Sequence, residues 1–200
     1  NRCYVMDFFN DDGINASIGY WDNYILNDAE LAAMIRENGG SIFEDSIEAN
    51  KTTNLWAPDL KEEIAAYYGE DYQYQDIIAA TVASVRSAGG WGSTSDPKDL
   101  VYTYDSEEEE QLSSRIIEDY NDIMGHLYET QHCIPANEWA ESIGCNYRAQ
   151  TYELTGLDIA GAASIVTIPE GDNMTKGDGL RQLSAAANLY DKKYLSMEAI

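Results

Sequence analysis

Acidic residues recur in this sequence directly after short runs that are typical of β-strands. They are Asp7, Glu44, Asp45, Glu48, Glu170, Asp172 and Glu198. The carboxyl ends of parallel strands meet at one edge of a sheet, and active sites of barrel and open-sheet enzymes lie there. Carboxylates from separate strands could supply a general acid and a general base. Hydrolysis of a glycosidic bond needs such a pair, with one carboxylate acting on water or on the sugar itself.

Glu48 and Glu198 form the predicted catalytic pair, because they follow strand-like runs that lie far apart in the chain. The residue types alone do not decide which of the two is the acid and which is the base. For any single acidic residue, the alternative is an ordinary carboxylate that faces solvent or caps a helix.

Other polar and aromatic residues near strand or helix ends are candidates for holding the substrate. The sequence contains four Trp and 15 Tyr, and aromatic rings stack on the faces of sugars. Two of the tryptophans fall in predicted loops, where binding residues concentrate. The predicted substrate-binding residues are Asp45, Trp56, Trp91, Gln150 and Tyr152.

Several other chemistries lack their motifs. His126 and His132 do not have the HExxH spacing of zinc hydrolases, and the G-x-S-x-G turn of serine hydrolases is absent from the sequence. Cys3, Cys133 and Cys145 match neither a zinc motif nor a disulfide framework, which favours buried structural thiols.

The charge of the chain limits its partners. Thirty-six acidic residues against 12 basic ones give a formal net charge of -24, which should repel nucleic acids and anionic membranes. The same surface suits a secreted, periplasmic or cell-surface protein that handles neutral substrates, although solubility alone would also explain it. No apolar run reaches the roughly 18 residues that a membrane span needs.

The order of the predicted elements indicates an α/β fold. Helices are predicted to begin near Asp28, Pro58, Ser106, Pro135 and Leu180, with glycines ending several of them. Between them lie five strand-like runs, at residues 2–8, 41–45, 146–152, 163–168 and 194–198. Strands separated by helices predict a parallel sheet with crossover connections.

We therefore predict part of an eight-stranded (β/α)₈ TIM-type barrel, with about five β/α units and truncation at both ends. Residues 1–200 would be a fragment of one glycoside hydrolase catalytic barrel domain, completed by the rest of a parent polypeptide. Without about three strands the isolated fragment should be inactive. A doubly wound open sheet is the alternative fold.

Four strings of residues resemble segments of one known family, in the same order. They are 43–48 (FEDSIE) with 55–58 (LWAP), 139–152 (W-A-x-x-x-G followed by Y-R-A-Q-T-Y), 168–172 (IPEGD) and 195–199 (LSMEA). These strings are similar to motifs of the α-L-rhamnosidases of glycoside hydrolase family 106. Ala57 and Asp172 depart from the family pattern.

The resemblance implies a (β/α)₈ catalytic domain, an inverting mechanism, and a calcium ion that helps to hold the sugar hydroxyls. By motif, Glu48 would be the general acid and Glu198 the base that activates water. Glu170 would bind the metal or the sugar, and the roles of Glu170 and Glu198 could be exchanged. The predicted function is hydrolysis of O-glycosidic bonds in oligo- or polysaccharides, α-L-rhamnoside-like. The alternative is a non-catalytic carbohydrate-binding or calcium-binding barrel domain.

Overall fold

The structure, a computed structural model, describes residues 6–47, 55–78, 106–151, 158–172 and 177–198. The chain divides into two compact units. The first, here called the sheet unit, comprises Asn1–Ile47, Gly125–Glu153 and Asp158–Ile200. The second, called the helical unit, comprises Glu48–Met124 and Leu154–Leu157.

The sheet unit is built on four described strands, β1 (Ser41–Glu44), β2 (Asn146–Ala149), β3 (Ile168–Asp172) and β4 (Ser196–Glu198). They form one parallel sheet in the order β1-β2-β3-β4. The protein is therefore an α/β protein with an all-parallel sheet, as the alternation of strands and helices predicted.

The predicted partial barrel is wrong. The four described strands form an open sheet with β1 and β4 at its edges, and no closure is found among the described residues. Alternation of strands and helices indicates parallel pairing, but closure depends on the tilt and stagger of the strands, which a residue pattern does not encode. Residues 2–5 of the first predicted strand lie outside the described residues, and residues 6–8 are not in a strand.

The first two helices begin at well-defined caps. Helix α1 (Asp11–Tyr24) starts after Asn10, whose side chain accepts a hydrogen bond from the backbone N–H of Asp12. Residues 10–13 are of types that favour turns, yet they begin a helix, because Asn is also a strong N-cap residue. Helix α2 (Ala29–Asn38) starts after Asp28, as predicted from that cap.

The helical unit contains α3 (Leu60–Tyr68) and most of α4, which runs over Glu107–Leu127. Both helices begin near their predicted positions, and the Ser106 hydroxyl accepts from the backbone N–H of Glu109, three residues on. Apolar side chains buried in this unit include Leu60, Ile64 and Ile123.

A π-helix, Tyr128–Cys133, connects α4 to α5 (Ile134–Ser142) within the sheet unit. Its i→i+5 pattern rotates the side chains that follow relative to an α-helix, and such turns recur at functional sites. Gly144, at φ 79°, ends the helical segment.

The last two helices precede and follow β3 along the chain. Helix α6 (Ile159–Ile165) takes up the first half of the segment predicted as a strand at residues 163–168, so that prediction is wrong. Alanines and glycine dominate α6, and the β-prone residues at its end belong to the connection into β3. Helix α7 (Gly177–Leu189) covers the predicted helix.

The two faces of the sheet differ in character. On the helix face, Tyr147 and Ala149 pack into a buried cluster with residues of α1 and α5, and Ile42 packs against it. Strand residues alternate between faces, and paired residues of neighbouring parallel strands share a face. Strand register therefore groups a largely polar set of residues on the opposite face, here called the polar face: Phe43, Arg148, Ile168, Glu170, Asp172, Ser196 and Glu198.

None of the described helices is both long enough and apolar enough to cross a membrane. Helix α4 has 21 residues, but its first turn consists of four glutamates.

Candidate active site

The polar face carries a cluster of acidic and hydrogen-bonding side chains at the carboxyl ends of β2, β3 and β4. Its members, here called the acidic cluster, are Arg148, Gln150, Glu170, Ser196 and Glu198. Glu170 is only 3% exposed and Gln150 only 1%, so two polar side chains are buried here and need hydrogen-bond partners.

Gln150 joins the two glutamates of the cluster. Its side-chain Nε2 donates to Glu170 Oε1 at 3.2 Å and to Glu198 Oε2 at 2.7 Å. The two hydrogens of one amide thus connect carboxylates from β3 and β4. Because both contacts share one nitrogen, the two carboxylate oxygens lie within about 6 Å of each other.

Glu170 is surrounded by donors. Besides Gln150, the Ser196 hydroxyl donates to Glu170 Oε2. The Nε of Arg148 lies 3.3 Å from the same oxygen, an ion-pair contact without the geometry of a hydrogen bond. Arg148 also stacks over the ring of Phe43, with Cζ 4.6 Å from the centroid. These contacts hold the buried carboxyl group of Glu170 in place and satisfy its oxygens.

A further carboxylate lies beside Glu198. Asp172 is the register partner of Glu198 on the neighbouring strand, and it is 9% exposed. Three acidic side chains, Glu170, Asp172 and Glu198, therefore end two adjacent strands on the same face of the sheet, as the strand-end pattern of the sequence suggested.

A second network lies on the helix face, around Glu44. His132 Nε2 lies 2.8 and 2.9 Å from the two carboxylate oxygens of Glu44, and the Tyr147 hydroxyl donates to Glu44 Oε1 at 2.9 Å. His132 is fully buried, and its other ring nitrogen, Nδ1, has no hydrogen-bond partner in the described part of the chain. Glu44 thereby joins β1 to β2 and to the π-helix.

The Tyr147 hydroxyl and the Cys133 thiol, both buried near Glu44, keep their protons at neutral pH. Burial, followed by the charge of Glu44, raises the pKa of Tyr147 well above its ordinary value. Burial likewise raises the pKa of the Cys133 thiol, against a smaller lowering by the Tyr128 hydroxyl. Cys133 is thus a buried thiol, as predicted, and is not activated as a nucleophile.

The structure brings only some of the predicted site residues together. Gln150, Glu170 and Glu198 meet in the acidic cluster. Asp45 is exposed, and its side chain accepts from the backbone N–H of Ser46. Trp56 belongs to the helical unit, is 44% exposed, and meets the ring of Tyr74 edge to face.

Glu48, Trp91 and Tyr152 lie outside the described residues. The pairing of Glu48 with Glu198 therefore stays a prediction from their motifs.

Arg148 and Ser196 were not among the predicted site residues. A signal for them exists in the sequence, because the strand ends read Arg-x-Gln, Glu-x-Asp and Ser-x-Glu. Polar residues at a spacing of two share one face of a strand, so each pair predicts a polar face. The pairing of Glu44 with His132 has no comparable signal, since 88 residues separate them.

The donors around Glu170 do not suit a calcium ligand. Calcium binds about six to eight oxygen atoms, whereas Glu170 already accepts from an amide and a hydroxyl and forms an ion pair with a guanidinium. Among the described residues, no group of three or more His, Cys, Asp or Glu side chains is arranged to hold a metal ion. Calcium binding stays a prediction.

No known protein family matches the chain, and no curated protein matches its sequence. The class that fold and site define is an α/β protein with an acidic cluster at the carboxyl edge of a parallel sheet.

Proposed function

We propose that the protein hydrolyses O-glycosidic bonds, with an α-L-rhamnoside-like glycoside as substrate. The observation that carries the proposal is the bridge from Gln150 to Glu170 and Glu198, which holds two carboxylates side by side at the carboxyl edge of the sheet. Glycoside hydrolysis requires at least a pair of carboxyl groups that flank the scissile bond. The net charge of -24 favours a neutral substrate such as a glycan.

Glu198 is the proposed base. It is only partly buried, whereas Glu170 is 3% exposed and has its oxygens directed at protein donors. A carboxylate that activates water must reach the water, so Glu198 suits that role better. Glu48 is the proposed acid on its sequence motif alone.

The spacing of the two described carboxylates bears on stereochemistry. Inverting enzymes separate their acid and base by about 6.5–9.5 Å to leave room for water, and retaining enzymes by about 5–5.5 Å. The oxygens of Glu170 and Glu198 that share Gln150 Nε2 lie within about 6 Å of each other, which is below the inverting range. In an inverting reaction Glu170 would therefore not be the general acid. It would help to hold Glu198 in place through Gln150, and a different carboxylate would be the acid.

The test is hydrolysis of a panel of aryl glycosides by the full-length protein, beginning with the α-L-rhamnoside. Glu198→Gln and Glu48→Gln should each lower kcat by about 10²- to 10⁴-fold, the range of general acid–base catalysis. Glu37→Gln, at an exposed position of α2, is the matched control and should leave kcat unchanged. Normal turnover by Glu198→Gln, or no hydrolysis of any glycoside, would refute the proposal.

The anomeric configuration of the first product, followed by NMR, identifies the pair. Inversion is expected for Glu198 with Glu48. Retention would instead assign Glu170 and Glu198 as nucleophile and acid–base residue.

A second candidate function is carbohydrate binding without hydrolysis. The observation in its favour is that protein donors already engage both oxygens of Glu170, as in a structural network. Isothermal titration with glycans would then give affinity, while the same preparation hydrolyses none of them.

A further inference from the structure

Both the backbone and the side chain of Gln150 form hydrogen bonds to neighbouring strands. Its backbone N–H donates to the carbonyl of Glu44 at 3.2 Å, which extends the pairing of β2 with β1 by one position. Its side chain reaches Glu170 on β3 and Glu198 on β4. Neighbouring strands lie about 4.8 Å apart, so this one side chain spans two strand spacings and links all four strands.

We propose that Gln150 is a positioning residue whose hydrogen bond holds the carboxylate of Glu198 in the orientation from which it takes a proton from water. This inference rests on the proposed function, and it replaces the predicted contact between Gln150 and substrate. Since Gln150 is 1% exposed, substrate has little access to it.

The orientation of the amide follows from its partners. A carboxylate only accepts, so the nitrogen of Gln150, with its two hydrogens, must face the two glutamates. Glu170 in turn is fixed by Arg148 and Ser196. The amide cannot turn over without losing two charge-assisted hydrogen bonds, and Glu198 therefore always meets a donor.

The acidic neighbours of Glu198 make this donor important. Glu170 and Asp172 lie beside Glu198 on the adjacent strand β3, and acidic side chains repel one another. Arg148 is the described cation in the cluster, and its contact is with Glu170. The hydrogen bond from Gln150 therefore holds Glu198 in place among these acids.

Gln150→Met keeps the length of the side chain and removes both donors. The acid limb of the kcat profile, which reports the base, should then move to higher pH, because the carboxylate form of the base loses a hydrogen bond. The matched control is Thr151→Val at the neighbouring buried position. The hydroxyl of Thr151 has no hydrogen-bond partner among the described residues, so its removal should leave the profile unchanged.

A second measurement needs neither a folded Gln150 variant nor turnover. The side-chain amide signals of Gln150, followed by ¹⁵N NMR in the wild-type protein, should shift as Glu198 takes up its proton. In Glu198→Gln that pH-dependent shift should be reduced, and the part due to Glu170 should remain.

The outcomes separate the two proposals. An amide titration without hydrolysis of any glycoside would leave the bridge in place and overturn the glycosidase proposal, and with it a catalytic role for Gln150. Hydrolysis with an acid limb unchanged in Gln150→Met, or with an amide signal indifferent to Glu198, would overturn the positioning role alone.

Discussion

Glu44 lends itself to a test of how buried donors stabilise the sheet unit. Glu44→Met would fill a similar volume but accept no hydrogen bonds. It would leave the Nε2 hydrogen of His132 and the hydroxyl of Tyr147 without their acceptor, and these residues are 0% and 2% exposed. A buried donor without a partner costs about 1–3 kcal/mol, so the variant should lose roughly 2–6 kcal/mol of the free energy of unfolding.

The decisive comparison is Tyr147→Phe in two backgrounds. In the wild-type protein it removes a hydrogen bond to a charged acceptor and should destabilise by about 1.5–3 kcal/mol. In the Glu44→Met background it removes a hydroxyl whose remaining described contact is with His132 Nε2 at 3.5 Å, and it should change the free energy of unfolding by less than about 1 kcal/mol. The cost of the same substitution should therefore shrink, which is a coupling of roughly 1–2 kcal/mol.

Urea unfolding followed by circular dichroism measures all four proteins of this cycle. Tyr20→Phe, at a position 61% exposed, is the control and should change the free energy of unfolding by less than about 0.5 kcal/mol in either background. If Tyr147→Phe destabilises equally in both backgrounds, the hydroxyl does not depend on Glu44, and the network around His132 is not what joins these elements.

Three further predictions concern groups away from these networks. Burial raises the pKa of Tyr120 to about 12. Since an unfolded phenol ionises near 10, the free energy of unfolding should fall by roughly 2–3 kcal/mol between pH 10 and 12, and Tyr120→Phe should reduce that loss in urea titrations. Burial, then the charge of Asp158, raises the pKa of Glu129. This raised pKa favours folding at low pH and its effect is lost as pH rises, so Glu129→Gln should stabilise by about 0.5 kcal/mol at pH 7 but not at pH 3, measured by thermal unfolding. Gly144→Ala should cost about 1–2 kcal/mol, because φ is 79° and a Cβ would lie 3.3 Å from the backbone of α2, whereas Gly19→Ala inside α1 should stabilise.

Local signals predicted most of the elements. Asp28 and Ser106 each cap the helix that was expected after them, and Gly144 ends the segment begun at Pro135. These signals act within one turn of the chain, so the residues alone decide them. Asn10 shows the limit, since the same residue type favours turns and caps.

Errors arose where two local tendencies competed. Residues 163–168 contain four β-branched residues in a row, which favour a strand, but they follow a stretch of alanines that favours a helix. The helix α6 takes the alanines, and β3 begins at Ile168. Packing decided this boundary, since Ala163 is buried against Leu183 and Ala186.

The sequence predicted which acidic residues form the candidate site, but not the hydrogen bonds that join them. Strand-end acids pointed to Glu170 and Glu198, which share the polar face. That Gln150 would lie between them depends on the register of Glu170 with Ser196 and on the direction of a long side chain. The spacing of residues along the sequence determines neither the strand register nor the direction of the side chain.

Strand β2 supplies donors to both faces of the sheet. Tyr147 donates to Glu44 on the helix face, Arg148 contacts Glu170 on the polar face, and Gln150 follows on the same side. Because successive strand residues alternate, a slip of one residue in the register of β2 would point every donor away from its carboxylate. In a chain with three times as many acidic as basic residues, few other groups could replace them. The pairing of β2 with β1 and β3 therefore determines whether Glu44 and Glu170 both keep the donors that β2 supplies or both lose them.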